Sequence, residues 1–124
     1  MLLAQLVELV GRIRGTARKT EKVALIAEAL GPSRGHDTEL LALYLTGTLP
    51  QGRIGLGWHG IEAAMTDRTA EGPPLTLDEI DQAMGALATE KGAGSAERRT
   101  KALRALFERA DEPQRRFLTE LLMG

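Results

Sequence analysis

The sequence contains no cysteine, which excludes a disulfide framework, thiolate chemistry and cysteine-based zinc sites, and suits a reducing cytoplasm. Aromatic residues make up only 3% of the chain, with one Trp, one Tyr and two Phe. Leu, Ala, Val and Ile must therefore build the core. No apolar run approaches the ~20 residues of a membrane span. The opening Met1-Leu2-Leu3-Ala4-Gln5-Leu6 lacks a basic lead-in and is interrupted at Glu8, so no signal peptide is expected. Serine occurs only at Ser33 and Ser95, and histidine only at His36 and His59. Neither serine sits in a nucleophile-elbow context, and the histidines lack metal-pair spacing. No catalytic constellation is present, and neither a metal nor a cofactor is expected in this segment.

The 124 residues, 43% hydrophobic and 27% charged, suffice for one soluble domain and not for two. The formal net charge of −1 conceals a strong segregation. Residues 1–35 carry six basic and three acidic side chains, residues 36–90 two and nine, and residues 91–124 eight and five. If the two ends fold side by side, one face is basic, and binding follows the local field rather than the net charge. Charge alone favours the plainer reading of solvated helix faces.

Helical periodicity dominates the pattern. Leu3, Leu6, Val7, Val10 and Ile13 form one apolar stripe, and Val23, Ile26, Ala27 and Leu30 a second, which Gly31-Pro32 should end. Asp37 or Thr38 can cap a third helix carrying Leu40, Leu41, Tyr44 and Leu45. Residues 47–60 are too glycine-rich for regular structure and read as an ordered loop, with a short helix from Trp58 toward Met65. Trp58, the lone Trp, is expected to be at least partly buried. Residues 66–74 form a polar linker. Thr76-Leu77-Asp78-Glu79 is a capping box, with Leu75 and Ile80 placed as its hydrophobic staple. Ser95 can cap the next helix, and Asp111-Glu112-Pro113-Gln114 launches the last. The spacing predicts an all-α fold with helices near 2–14, 20–30, 38–46, 77–89, 96–110 and 112–123.

Gly55-Leu56-Gly57-Trp58-His59-Gly60 matches G-x-G-x-x-G by letter. It lacks the preceding strand and the acid at the end of a second strand that a dinucleotide site requires. It reads as a decoy whose glycines serve the backbone. Two other segments, Arg14 to Lys22 and Lys91 to Arg99, each combine glycine, a hydroxyl and paired cations at a helix start. A phosphate is well served by that set, through open backbone amides and charge-assisted hydrogen bonds. Ordinary helix capping with solvated arginines is the competing reading.

Several stretches carry a resemblance in order. They are Thr16-x-Arg18-Lys19-x-Glu21-Lys22-Val23, Tyr44-Leu45-Thr46-Gly47, and Leu49-Pro50-Gln51-Gly52-Arg53-Ile54-Gly55-Leu56-Gly57-Trp58. Gly92-x-Gly94-Ser95 and Arg115-Arg116-Phe117-Leu118 with Leu121-Leu122 follow. Together they resemble the N-terminal DNA-binding domain of bacterial-type ATP-dependent DNA ligases, over nearly the whole chain. The resemblance implies two helical lobes that grip nicked double-stranded DNA across the minor groove, mostly through phosphates and without sequence preference. Adenylation and OB-fold domains of the same parent, absent here, would close around the duplex, and ATP and magnesium are implied for that parent. The implied setting is cytoplasmic, at the nucleoid. DNA-facing candidates by position are Arg18 and Lys19 in one loop and Gly92, Gly94, Ser95, Arg98 and Arg99 in the other. Thr16 and Arg53 are secondary candidates. Arg115 and Arg116 have no glycine loop before them and are not expected to face DNA. The family's nucleotidyl lysine in Lys-x-Asp-Gly is missing, so this segment is not expected to ligate. Family members continue past Gly124, so residues 1–124 are expected to be one DNA-binding domain short of its C-terminal end. A helical protein-interaction or oligomerisation module without DNA binding is the alternative.

Overall fold

A computed structural model describes residues 1–124. It contains seven helices: α1 (Leu3–Arg14), α2 (Lys19–Leu30), α3 (Gly35–Leu45), α4 (Trp58–Ala63), α5 (Leu77–Thr89), α6 (Ser95–Glu108) and α7 (Glu112–Met123). The only β-type pairing is an isolated antiparallel bridge between Leu2 and Thr76, made by Leu3 N–H to Leu75 O and Leu77 N–H to Met1 O at 2.8 and 2.9 Å. It ties the start of α1 to the start of α5.

The packing falls into two groups, α1 against α2 and α7, and α5 against α3 and α6 with α4 on α6. The expected two lobes share one core. Its 22 buried residues form a single cluster, led by leucines from α1, α3, α5, α6 and α7 together with Tyr44, Met84 and Phe107. On α5, α6 and α7 it is supplied by Ile80, Met84 and Leu87, by Leu103, Leu106 and Phe107, and by Phe117, Leu118 and Leu121. On α1 the burial is Leu3, Leu6 and Leu9, a face rotated slightly from the expected one. The second stripe forms its helix, which ends before Gly31 as expected, but is only partly covered, with Leu25, Ala29 and Leu30 packed against the core. No residue of α2 is buried, and Val23 is 56% exposed.

Local chemistry sets most helix ends. At α5 the Glu79 N–H donates to Thr76 Oγ1 at 3.1 Å and the Thr76 N–H to Glu79 Oε1 at 3.3 Å, with Leu75 and Ile80 both buried beneath. At α7 the Gln114 N–H donates to Asp111 Oδ1 at 2.9 Å. Two starts differ from expectation. Helix α3 begins at Gly35, ahead of Asp37 and Thr38. Asp37 instead pairs with the Met1 amine, and Thr38 shares a hydroxyl bond with Ser33 at 2.8 Å. Helix α6 is capped by Gly94 in the left-handed region (φ 77°), and Ser95 is its first residue and caps nothing.

Arginines stitch the irregular segments down. Arg104 donates to Ala63 O at 2.5 Å, satisfying a carbonyl left open at the end of α4. Residues 66–74, expected to be a linker, are strapped to the α6–α7 corner. Arg115 donates to Phe107 O and Thr66 O, both at 2.9 Å, and to Arg68 O. Arg109 reaches Pro73 O at 3.0 Å, and the Glu71 N–H reaches Glu108 O at 2.8 Å. Trp58 is 51% exposed, half covered but outside the core, because α4 turns Ile61 inward and leaves the ring over an open groove against α7.

Arg109 also forks onto Glu79, with Nη1 to Oε2 at 2.7 Å and Nη2 to Oε1 at 3.2 Å. That bonding holds the Glu79 carboxyl below its ordinary 4.5, against the opposing pull of desolvation and with help from Thr76. A carboxyl depressed in the folded state contributes stability above its ordinary value and loses it as pH falls through the folded value. Melting temperatures of the wild type and Glu79→Gln should therefore differ most above pH 4.5 and converge on acidification. A gap that stays constant with pH would remove this carboxylate from the acid response. His36 runs the other way. Its bond to Asp81 (3.0 Å) raises its pKa above 6.5, so its contribution is full below 6.5 and fades as pH rises.

Candidate nucleic-acid interface

Helix α2 starts without a side-chain cap, and the N–H groups of Lys19, Thr20 and Glu21 have no hydrogen-bond partner within the chain. Such a start presents partial positive charge. Around it the candidate side chains are unequally available. Thr16 Oγ1 bonds Glu21 and also accepts from the Arg18 N–H at 3.3 Å, and the Arg18 guanidinium lies 3.8 Å from the same Glu21. Lys19 is exposed and without a partner.

The second segment is built differently. Gly92 and Gly94 adopt φ of 85° and 77°, a region that only glycine enters at little cost. An added Cβ on Gly94 would also lie 3.0 Å from Arg98 Nη1. Ser95 N–H bonds Gly92 O at 3.1 Å, while the N–H groups of Ala96 and Glu97 stay open. Arg98 is half exposed but folds back over the loop before α6. It donates to Glu90 Oε1 at 2.5 Å, Ala93 O at 2.9 Å and Lys91 O at 3.1 Å. Arg99 donates to Glu90 O at 2.7 Å, and its Nη1 lies 3.8 Å from where a Gly55 Cβ would sit. Lys91 has no partner and is exposed.

The glycine loop joins this region from below. Gly55, at φ 86°, has backbone geometry that favours glycine, in keeping with the decoy reading of the motif. No strand precedes it. The loop lines a cavity of about 550 Å³ with Leu121 and Leu122 of α7. Arg53 stands out from it, exposed and unpaired. Near the end of α7, Glu120 pairs with Arg14 at 3.2 Å, just before Thr16.

Six of the sixteen Lys and Arg side chains make no hydrogen bond or ion pair: Arg12, Lys19, Lys22, Arg53, Lys91 and Lys101. Four of these lie in the two basic segments and the glycine loop. Lys22 and Lys91 were passed over in the sequence, because being unpaired is a property of neighbours and has no local signature. Arg115 is held by three carbonyls, and Arg116 pairs with Glu112 at 3.2 Å, so neither offers a free cation.

Comparison with known proteins gives this surface its context. The family described as DNA ligase N terminus matches residues 59–124. The chain belongs to this DNA ligase N-terminal family. Proteins named probable DNA ligase are similar along its whole length. One from Anaeromyxobacter dehalogenans (strain 2CP-1) is 44% identical over 100% of the chain and 25% of its own length. Others from Streptomyces griseus and Rhodococcus opacus (strain B4) are 38% and 36% identical over 100% of the chain and 24% of theirs. The chain therefore spans about a quarter of the length of these relatives. No helix of this ligase-family chain is long and apolar enough to cross a membrane.

Proposed function

We propose that the chain is a non-catalytic domain that binds double-stranded DNA without sequence preference and holds a nick for a DNA ligase in replication or repair. The observation that carries this reading is the set of unpaired cations, Lys19 and Lys22 at one helix start with open amides, Lys91 before another and Arg53 on the glycine loop, in a ligase-family chain. Amides and cations of this kind recognise phosphate, which fixes position and register on a duplex but carries no sequence information. Adenylation and OB-fold domains of the same parent would act on the duplex so held, in the cytoplasm at the nucleoid. ATP and magnesium, implied for that parent, find no fitting residues in this chain. None of Lys19, Lys22, Lys91 and Lys101 opens a Lys-x-Asp-Gly motif, and no group of three or more His, Asp or Glu could hold an ion. Their chemistry would belong to the rest of the parent.

The test is a titration of labelled duplex over a salt series. Four phosphate contacts give a slope of log affinity on log salt of magnitude up to ~3.6. Unrelated duplex sequences should give the same slope. One observation favours the rival reading as a protein-interaction module: no residue of α2 is fully buried, and Val23 is 56% exposed. A protein partner would not show the counterion-release slope, so a flat salt dependence would shift the function to that helix.

A further inference from the structure

We infer that Arg98 and Arg99 are positioning residues rather than phosphate ligands, an inference that rests on the DNA-binding reading above. Every nitrogen of the Arg98 guanidinium is already committed to the turn it closes, to Glu90 Oε1, Ala93 O and Lys91 O at 2.5, 2.9 and 3.1 Å. Three of its five N–H groups are so used, the Nε–H among them, and the fork that an arginine turns on a phosphate through Nε and Nη2 is open to Arg98 only if it releases Glu90. Arg99 is wedged further in. Its Nη2 holds Glu90 O at 2.7 Å, its Nε is buried without a partner, and its Nη1 abuts Gly55.

The work of this pair is to fix two loops relative to one another. Arg98 clamps residues 91–94 into the doubly left-handed shape of Gly92 and Gly94, and Arg99 sets the end of α5 against the loop that carries Arg53. Lys91, Arg53 and the open amides of α6 are the groups so placed, and they make the contacts. Lysine is a poor substitute in the clamp, because one ammonium cannot span the carbonyls that the planar guanidinium holds. At a phosphate it is an adequate one, since the charge is kept.

The experiment compares wild type, Arg98→Lys, Arg98→Gln and Lys91→Gln by duplex affinity over a salt series. Exchange of the Ser95 amide, which bonds Gly92 O at 3.1 Å, is followed without DNA. Arg98→Lys and Arg98→Gln should each speed Ser95 exchange and weaken duplex binding about tenfold, the equivalent of one lost hydrogen bond to a charged group, with the salt slope unchanged. Lys91→Gln should leave exchange unchanged and lower the slope by ~0.9. Wild-type exchange and affinity in Arg98→Lys, or a slope lowered by ~0.9 in Arg98→Gln, would overturn the positioning role. If the wild type binds no duplex, the DNA reading fails by itself. The exchange data then still judge the clamp, and unaltered Ser95 exchange in both Arg98 variants would overturn it.

Discussion

Changing Lys19, Lys22, Arg53 and Lys91 together to glutamine should abolish measurable duplex binding. Each phosphate contact contributes close to 0.9 units of salt slope, which at ~50 mM salt is about 15-fold in affinity. Four contacts compound to about 10⁴-fold or more, against a nonspecific affinity that starts only near 10⁻⁴–10⁻⁶ M. The four side chains have no internal partners, so the fold should be indifferent to the change and circular dichroism should be unaltered. Arg116→Gln is the comparison, because its guanidinium is occupied by Glu112 and lies one turn into α7. It should weaken binding less than about twofold. Wild-type affinity in the fourfold variant would place the DNA face elsewhere on the domain. Reversing Arg115 would not be informative about DNA, since it would first release Thr66, Arg68 and Phe107 carbonyls.

The largest effect on stability is expected at Phe107. In a chain so poor in aromatics it is one of the two largest fully buried side chains, at the end of α6 where the strap of residues 66–74 and the start of α7 meet. Truncation to alanine removes the ring and leaves a cavity, at a cost of about 3–5 kcal/mol. For a domain with a typical 5–15 kcal/mol of total stability, that is a large fraction. Melting temperature should fall by roughly 10–20 °C. Trp58→Ala, a larger deletion in volume, should cost only about 1 kcal/mol, because the ring is already half in water. Thermal unfolding of both variants tests the pair. A Trp58 loss equal to that of Phe107 would mean that the groove over α7 is packed as tightly as the core.

These contrasts show what was legible in the sequence. Helix limits for α5 and α7 could be read because their determinants are local: a Thr76 hydroxyl three residues from Glu79, and an Asp111 carboxylate three from Gln114. The start of α3 could not, because Asp37 is claimed by the Met1 amine from far along the chain. The limits of α2 could also be read, since Gly31-Pro32 ends it, but the depth to which its stripe is covered could not, because the helix packs chiefly on α1 and none of its residues is fully buried. The candidate site was legible in outline and not in roles. Glycine, hydroxyl and cation patterns marked both basic segments. Whether a cation points to solvent or folds back on a carbonyl depends on loop geometry, and so Arg98 and Arg99 stood out in the sequence while Lys22 and Lys91 did not.

The manner in which arginine serves this scaffold separates two responses to ionic strength. Arg98, Arg99, Arg104, Arg109 and Arg115 all grip neutral carbonyl oxygens at hydrogen-bond distance. Those bonds are about 3 Å long, well inside the ~10 Å over which ~0.1 M salt screens a charge. The attraction of a duplex for the unpaired cations depends instead on the release of counterions to bulk solution, and it weakens continuously as salt rises. If the proposed DNA-binding role holds, rising salt should strip a duplex from the surface while the stitching beneath stays closed, so that the chain would let go of DNA without unfolding.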